Sequence, residues 1–428
     1  MSAFALWPRH EHDEGEVTAA PDGSPEPWDP VLFLHIFVMT VVYAFIFPVG
    51  FLLARKRSPW HGTFQVFGSV LALIGYVLGH KQKNQFYPHN PHSYFQIPLL
   101  WMLLAQGVFG LFLKYTKSWR RPCFARIRRY IRIAHLLNGW SFLLLPYAQG
   151  ILGLIAVTKT CGDDEVGNCA AHFIMGSFFV YYGAVSALRH FGSLKTRRPV
   201  ELYDSVIILL WGIIQTSSEH RWGSRWNHTD MQHISSGILW TFGGAVSLLL
   251  SVFRPYRKRA RNVVPGLIIA FTGIVMSNHT QHTGHGGFSV TLHGFFGCSL
   301  VICGLLRILN LHIGRAGGLN LIAGFFFILS GCLLMGGNST AVALAEGAQI
   351  DPVSYCTVLA AIAFMILLYV LCMLLVARHG VPGAWDRDGD VGELPIAGCN
   401  AAGYASLAAL AEPADYREDD EVDRRTLF

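Results

Sequence analysis

LHIFVMTVVYAFIFPVGFLLAR (34–55) decides how the rest of this chain is read. It is long and apolar enough to cross a bilayer, which takes about 20 helical residues. Yet it opens on His35 and closes on Arg55. Three more apolar stretches open the same way. They are WHGTFQVFGSVLALIGYVLG (60–79) with His61, HSYFQIPLLWMLLAQ (92–106) with His92, and RIAHLLNGW (132–140) with His135. If each stretch crosses once, the histidines alternate in depth. His35 and His92 then lie near one face, and His61 and His135 near the other. Ionisable side chains at membrane depth are costly and are kept for function.

Composition agrees. Of 428 residues, 52% are hydrophobic and 14% charged, against about 25% charged in a soluble domain. The expected class is all-α: a polytopic helical membrane protein, because backbone groups in lipid must be satisfied within the segment. About eleven spans are expected, at 31–53, 61–79, 94–114, 134–157, 170–188, 203–217, 233–253, 264–278, 290–308, 318–336 and 355–377. The chain divides into an outer arm with a disordered composition (1–29), a four-helix module (30–160), a seven-helix domain (161–379) and an acidic cytoplasmic tail (380–428).

Orientation follows from the connections. ARKRSP (54–59), KYTKSWRRPCFARIRRYIR (114–132), RHFGSLKTRRP (189–199) and RPYRKRAR (254–261) are basic. The alternate connections are poor in Lys and Arg or acidic, as in CGDDEVGNC (161–169); HKQKNQ (80–85) is the exception. Positive residues stay cytoplasmic, so the N-terminus is expected outside and the C-terminus inside. The sequons at Asn227, Asn278 and Asn338 all fall on the expected outer side. The N-terminus has no apolar h-region of a secretory signal. The formal charge of +6 comes from inner loops that face anionic lipid. No folded basic module is present to bind nucleic acid. The setting is an integral protein of the endomembrane system or plasma membrane, with membrane lipid as its surroundings.

Cys161 and Cys169 share one short outer loop, where a disulfide would be stable. Cys298, Cys303, Cys332 and Cys372 fall inside spans and read as small packing residues.

Two neutral imidazoles on facing helices at one depth can hold a haem iron. His35 with His92, and His61 with His135, meet that requirement at two depths; His80 and His89 also lie on the outer side and are alternatives to His92. The first four stretches also resemble the cytochrome b-561 family. His35, Met39, Pro48, Gly50 and Arg55 follow its first core helix, His61 and Gln65 its second, His92 and Gln106 its third, and His135 with Gly139 its fourth. The likeness covers about residues 30–157 and implies two b-type haems with those four histidines as axial ligands. Two departures fall on the inner pair: Trp60 and His61 are adjacent, and Leu136 stands where the family has a basic residue. Arg126, Arg128, Arg129 and Arg132 lie beside it, suited to an anionic donor or to haem propionates.

A second concentration of chemistry lies in residues 201–307. His220, Asp230, His233, His279, His282 and His293 flank two outer loops, with Glu219, His228 and His285 beside them. Imidazoles and carboxylates suit zinc, iron or copper, and the spacing does not choose among them. The segment 201–244, through Glu201, Tyr203, Asp204, Glu219, His220, Trp222, Trp226, Asp230, Gln232, His233 and Gly237, is similar to the C-terminal domain of fungal Ytp-type integral membrane proteins. Residues 265–297 continue the likeness through Pro265, Gly273, Met276, Ser277, His279, Gln281, His293 and Gly297, and Arg307 extends it.

The leading expectation is a transmembrane oxidoreductase of metal-reductase type. It would pass electrons from a cytoplasmic small-molecule donor through two haems to an outer acceptor, a ferric or cupric ion or a small molecule. The rivals are a membrane-embedded zinc hydrolase, with Glu219 or Asp230 as base, and a metal carrier or structural membrane protein. Donor, acceptor and oligomeric state stay open at this point.

Overall fold

Asp29 and Pro30 start the first helix as its composition demands: the Asp29 carboxylate accepts the Val31 N–H at 2.9 Å, and Pro30 sits where no N–H is needed. The structure is a computed structural model. It describes residues 29–81, 90–116, 122–142, 144–161, 166–191, 199–218, 220, 225–226, 228–253, 262–277, 286–313 and 318–379. These residues form helices and their connections, with no strand among them.

The first helices are α1 (Pro30–Thr40), a π turn (Val41–Ile46), α2 (Phe47–Arg55), α3 (Trp60–His80), α4 (Pro91–Tyr115), α5 (Pro122–Ser141) and α6 (Leu145–Thr158). The π turn runs directly into Pro48, which cannot donate a helical hydrogen bond; widening the preceding turn accommodates it. α7 (Val166–His190), α8 (Val200–Ser218), α9 (His228–Val252), α10 (Val264–Ser277), α11 (Gly286–Ile313), α12 (Leu319–Gly336), α13 (Ser339–Gly347) and α14 (Pro352–His379) follow. Ten segments among the described residues are long and apolar enough to span a bilayer, and α10 is a shorter apolar helix. They coincide with the eleven expected positions.

Two details differ from the sequence reading. The span expected at 134–157 is two helices, α5 and α6, which meet around Phe142 and Leu144 just before Pro146. α13, short and mostly apolar, forms an additional turn of structure on the expected outer side. Asn338 caps it: its side chain accepts the Ala341 N–H at 2.9 Å and donates to the Met335 carbonyl at 2.7 Å, while the residue is 1% exposed. The sequon there is spent on a helix cap.

The second half packs backbone against backbone. A methyl group added at Gly183 of α7 would stand 2.5 Å from the Gly324 carbonyl oxygen of α12, and one at Gly273 of α10 would stand 2.5 Å from that of Gly297 in α11. Small residues allow such approach where lipid supplies no hydrophobic drive between helices. α12 lies at the centre, with Phe327, Ile328 and Leu333 buried against α7, α11 and α14. The Cys161–Cys169 disulfide is formed, with a Cα–Cα separation of 5.3 Å. Cys303 and Cys332 are buried as expected, but Cys298 and Cys372 are exposed on the apolar surface and do not pack in the core.

Candidate functional site

The first six helices pack as two halves. α1, the π turn and α2 lie along α3, while α4 lies along α5 and α6; backbones approach closely within each half and sparsely across. Each half contributes one histidine to each depth. His35 on α1 faces His92 on α4 with ring centroids 6.3 Å apart and planes at 89°. His61 on α3 faces His135 on α5 at 6.5 Å and 80°. The carbonyl that holds His61 belongs to Gly50, fifteen residues beyond His35 on the same helical stretch, so the two pairs are separated by roughly 20 Å of depth.

Backbone carbonyls on neighbouring elements orient three of the four rings. His35 Nδ1 donates to the Gly75 carbonyl at 2.7 Å, His61 Nδ1 to Gly50 at 2.8 Å, and His92 Nδ1 to Gln149 at 3.0 Å. The Gln149 side chain returns a bond to the His92 carbonyl at 2.9 Å, which clamps the start of α4 to α6. A proton fixed on Nδ1 leaves Nε2 as the nitrogen with a lone pair, the usual arrangement of a metal-ligating histidine. His135 departs from the pattern: its Nδ1 is buried and interacts with the Gln106 backbone without reaching the geometry of the other three bonds. Glycines make room for the rings. A methyl at Gly79 would meet His35 at 2.9 Å, and one at Gly153 would meet His92 at 3.0 Å.

These residues fit a haem held by two imidazoles. A metal about 2 Å from each ring nitrogen places the ring centroids roughly 6 Å apart, as both pairs are. Between the two depths lies an apolar layer: Tyr43 and Phe47 pack on Phe142, with ring centroids 6.4 and 5.8 Å away.

In the second half, His220 is 5% exposed, donates Nδ1–H to the Asp230 carboxylate at 2.9 Å and stacks on Trp226 with centroids 4.0 Å apart. His293, equally buried, donates to the Ser289 carbonyl at 2.8 Å, and the His233 carbonyl accepts from Gln215 at 3.2 Å. So the structure joins His220 with Asp230. Among the described residues no three His, Cys, Asp or Glu side chains are grouped to hold a metal. Glu219, His279, His282 and His285, and the side chain of His228, lie outside the described residues.

The sequence reading missed a buried ionic centre at the end of this half expected to face inward. Arg307 of α11 pairs with Asp204 of α8, and Tyr182 of α7 donates to Asp204 at 2.5 Å while accepting from Arg307. A lone arginine in an apolar helix was the available signal; its tyrosine partner, 125 residues away in sequence, left none.

Fold and site together define a polytopic helical membrane protein carrying paired imidazoles at two depths. Residues 145–378, more than half of the chain, match the family described as Protein YTP1-like, C-terminal. The chain belongs to this family of fungal membrane proteins. Residues 18–116 match a domain of unknown function, DUF2427. Over 298 residues the chain is 31% identical to Protein YTP1 of Saccharomyces cerevisiae, which covers 66% of this chain and 63% of that protein. It is 21% identical over 404 residues to an uncharacterized membrane protein of Schizosaccharomyces pombe, covering 65% of this chain and 78% of the relative. The chain therefore spans less than two thirds of the yeast YTP1 protein. No solved structure matches it.

Proposed function

We propose that this membrane protein conducts electrons between a cytoplasmic small-molecule reductant and an oxidant on the outer side, through two b-type haems held by His35 with His92 and by His61 with His135. The observation that carries the reading is the pair of centroid separations, 6.3 and 6.5 Å, at two depths of one bundle. Packing two histidines per half for structural reasons alone does not call for both pairs to meet at a ligand-bridging distance. The resemblance to the cytochrome b-561 pattern supports the same reading. Haem bound by two imidazoles supplies reversible one-electron iron chemistry.

The chain's own residues do the rest. The Gly75, Gly50 and Gln149 carbonyls hold their imidazoles in the metal-binding tautomer. The layer of Tyr43, Phe47 and Phe142 keeps water from the space between the two depths. Arg128, whose guanidinium donates to Thr116 Oγ1 at 3.3 Å, belongs to a basic helix end suited to an anionic reductant or to propionates. The outer group of His220, Asp230 and His233, with His279, His282 and His293, is the proposed receiving surface, where a ferric or cupric ion would arrive as substrate. The His220–Asp230 contact also suits a zinc site, the rival reading of the second half as a hydrolase or metal carrier.

The test uses purified protein reconstituted in vesicles that contain ascorbate, with ferricyanide outside. Wild-type protein should consume ferricyanide, and both His35→Ala and His135→Ala should fall to the rate of empty vesicles. Equal rates for all three proteins would refute transfer through the paired histidines.

A further inference from the structure

We propose that the start of α5 is a binding site for one anionic phospholipid. Arg126 and Arg129 hold the headgroup phosphate, and an acyl chain lies along Ile133, Leu137 and Trp140. The site is separate from the histidine pairs. His135 faces His61, and Arg126 precedes it by about two and a half helical turns, so the two point to opposite sides of α5.

The first observation is uncompensated charge. From Pro30 to Gly162 the sequence contains no Asp or Glu. The basic residues of that stretch therefore have no carboxylate of their own module to neutralise them. The second half differs, since its buried Arg307 is balanced by Asp204. Among the described residues no carboxylate pairs with Lys114, Arg126 or Arg129, and all three are exposed. A basic cluster beside a membrane span, on the side expected to be cytoplasmic, is electrostatically matched to anionic headgroups.

The second observation is the order of polarity along one helix face. The apolar segment of α5 and α6 runs 35 residues, Phe124–Thr158, where about 20 cross a bilayer. The span expected from hydropathy begins at 134, so the first three turns of α5 lie at headgroup level. Residues 126, 130, 133, 137 and 140 follow the alternating spacing of four and three that keeps side chains on one face. Tyr130, Ile133, Leu137 and Trp140 are 65%, 44%, 65% and 49% exposed, which leaves this face open to lipid. Toward the basic end, apolar side chains give way to a phenol at Tyr130 and then to a guanidinium at Arg126. A phospholipid changes in the same order, from acyl chain through ester carbonyls to phosphate, and tyrosine belongs at the middle level.

Arg129 follows Arg126 by one turn, and two guanidiniums at that spacing can each offer paired N–H groups to phosphate oxygens. The end of α4 adds Lys114, which lies 5.9 Å from the centre of the exposed Tyr115 ring. The bond from Arg128 to Thr116 Oγ1, at 3.3 Å, keeps that end of α4 against α5. A free phosphate would use the cations and leave the apolar face idle. A lipid uses both.

Native mass spectrometry of the detergent-purified full chain tests the site. The probes are dioctanoyl phosphatidylinositol 4-phosphate, dioctanoyl phosphatidylcholine and inorganic phosphate. The phosphoinositide should be retained at concentrations where phosphatidylcholine is not. Arg126→Gln with Arg129→Gln should weaken its binding about 30-fold, while Lys159→Gln, at the opposite end of the module, should leave it unchanged. Equal retention of the two lipids would overturn the proposal, as would a double variant that binds as tightly as wild type. Displacement of the phosphoinositide by an equal concentration of inorganic phosphate would make this a free-anion site and overturn the lipid assignment.

Discussion

The two halves of this membrane region are held together by different means. In the first four spans between 6% and 22% of the most apolar stretch is buried within the protein, whereas in the next five it is 28% to 44%; the last span, α14, lies at the edge of the second half with 11%. The second half achieves its burial through glycine faces that bring backbones into contact, as at Gly183 on Gly324. The first half keeps its helices further apart across the histidine pairs; imidazole-to-carbonyl bonds tie the helices on each side of that gap, and an aromatic layer spans it. Tight packing and cofactor binding compete for the same interior. A bundle that closes on its own glycines has no width for a porphyrin, and one that presents facing imidazoles cannot close. The contrast agrees with the proposed electron-transfer role of the first half, beside a second half that serves as a scaffold in the same proposal.

The largest effect that bears on this contrast is steric. Gly183→Leu should eliminate folded protein, because even a methyl at that position would stand 2.5 Å from a backbone oxygen. Gly107→Ala in α4, where nothing lies within 4 Å of the added carbon, should leave the monodisperse peak in detergent size-exclusion chromatography unchanged. Equal tolerance at both positions would break the distinction between the halves.

A smaller effect is expected at the ionic centre. Arg307→Leu strands the buried Asp204 carboxylate and should cost about 3–5 kcal/mol. Asp204→Leu combined with Arg307→Met should recover most of that loss, read as thermal stability in detergent. If the double variant is no more stable than Arg307→Leu alone, the pair does more than balance its own charge.

The smallest concerns the outer edge of the second half. Asn338→Gln should leave the protein's mobility unchanged with and without endoglycosidase, because the buried Asn338 amide is already committed to capping α13. It should lower stability by about 1 kcal/mol through loss of that cap. A glycan at Asn338 would require α13 to open.

Hydropathy was enough to place the spans, since each apolar run is read directly from residues such as those of 34–55. It could not show the break between α5 and α6, where apolar residues lie on both sides of Pro146, nor the π turn ahead of Pro48. The histidine pairs were legible because crossing the membrane fixes alternation in depth. Their anchors were not, because Gly75, Gly50 and Gln149 act through backbone oxygens that every residue type possesses. The Cys161–Cys169 bond was legible from compartment and proximity. Tyr182 was hidden by distance along the chain. Sequence also presented Asn338 as a sequon beside Asn227 and Asn278, when its use is local and structural.

The central claim is that facing imidazoles at two depths hold two haems. Its most direct test is the dithionite-reduced minus oxidised absorption spectrum of detergent-purified protein from haem-replete cells, with haem counted per chain as the pyridine complex. The account predicts sharp low-spin b-type bands and about two haems per chain, falling to about one in His35→Ala. A colourless protein without a Soret band, or an unchanged haem count in His35→Ala, would contradict it.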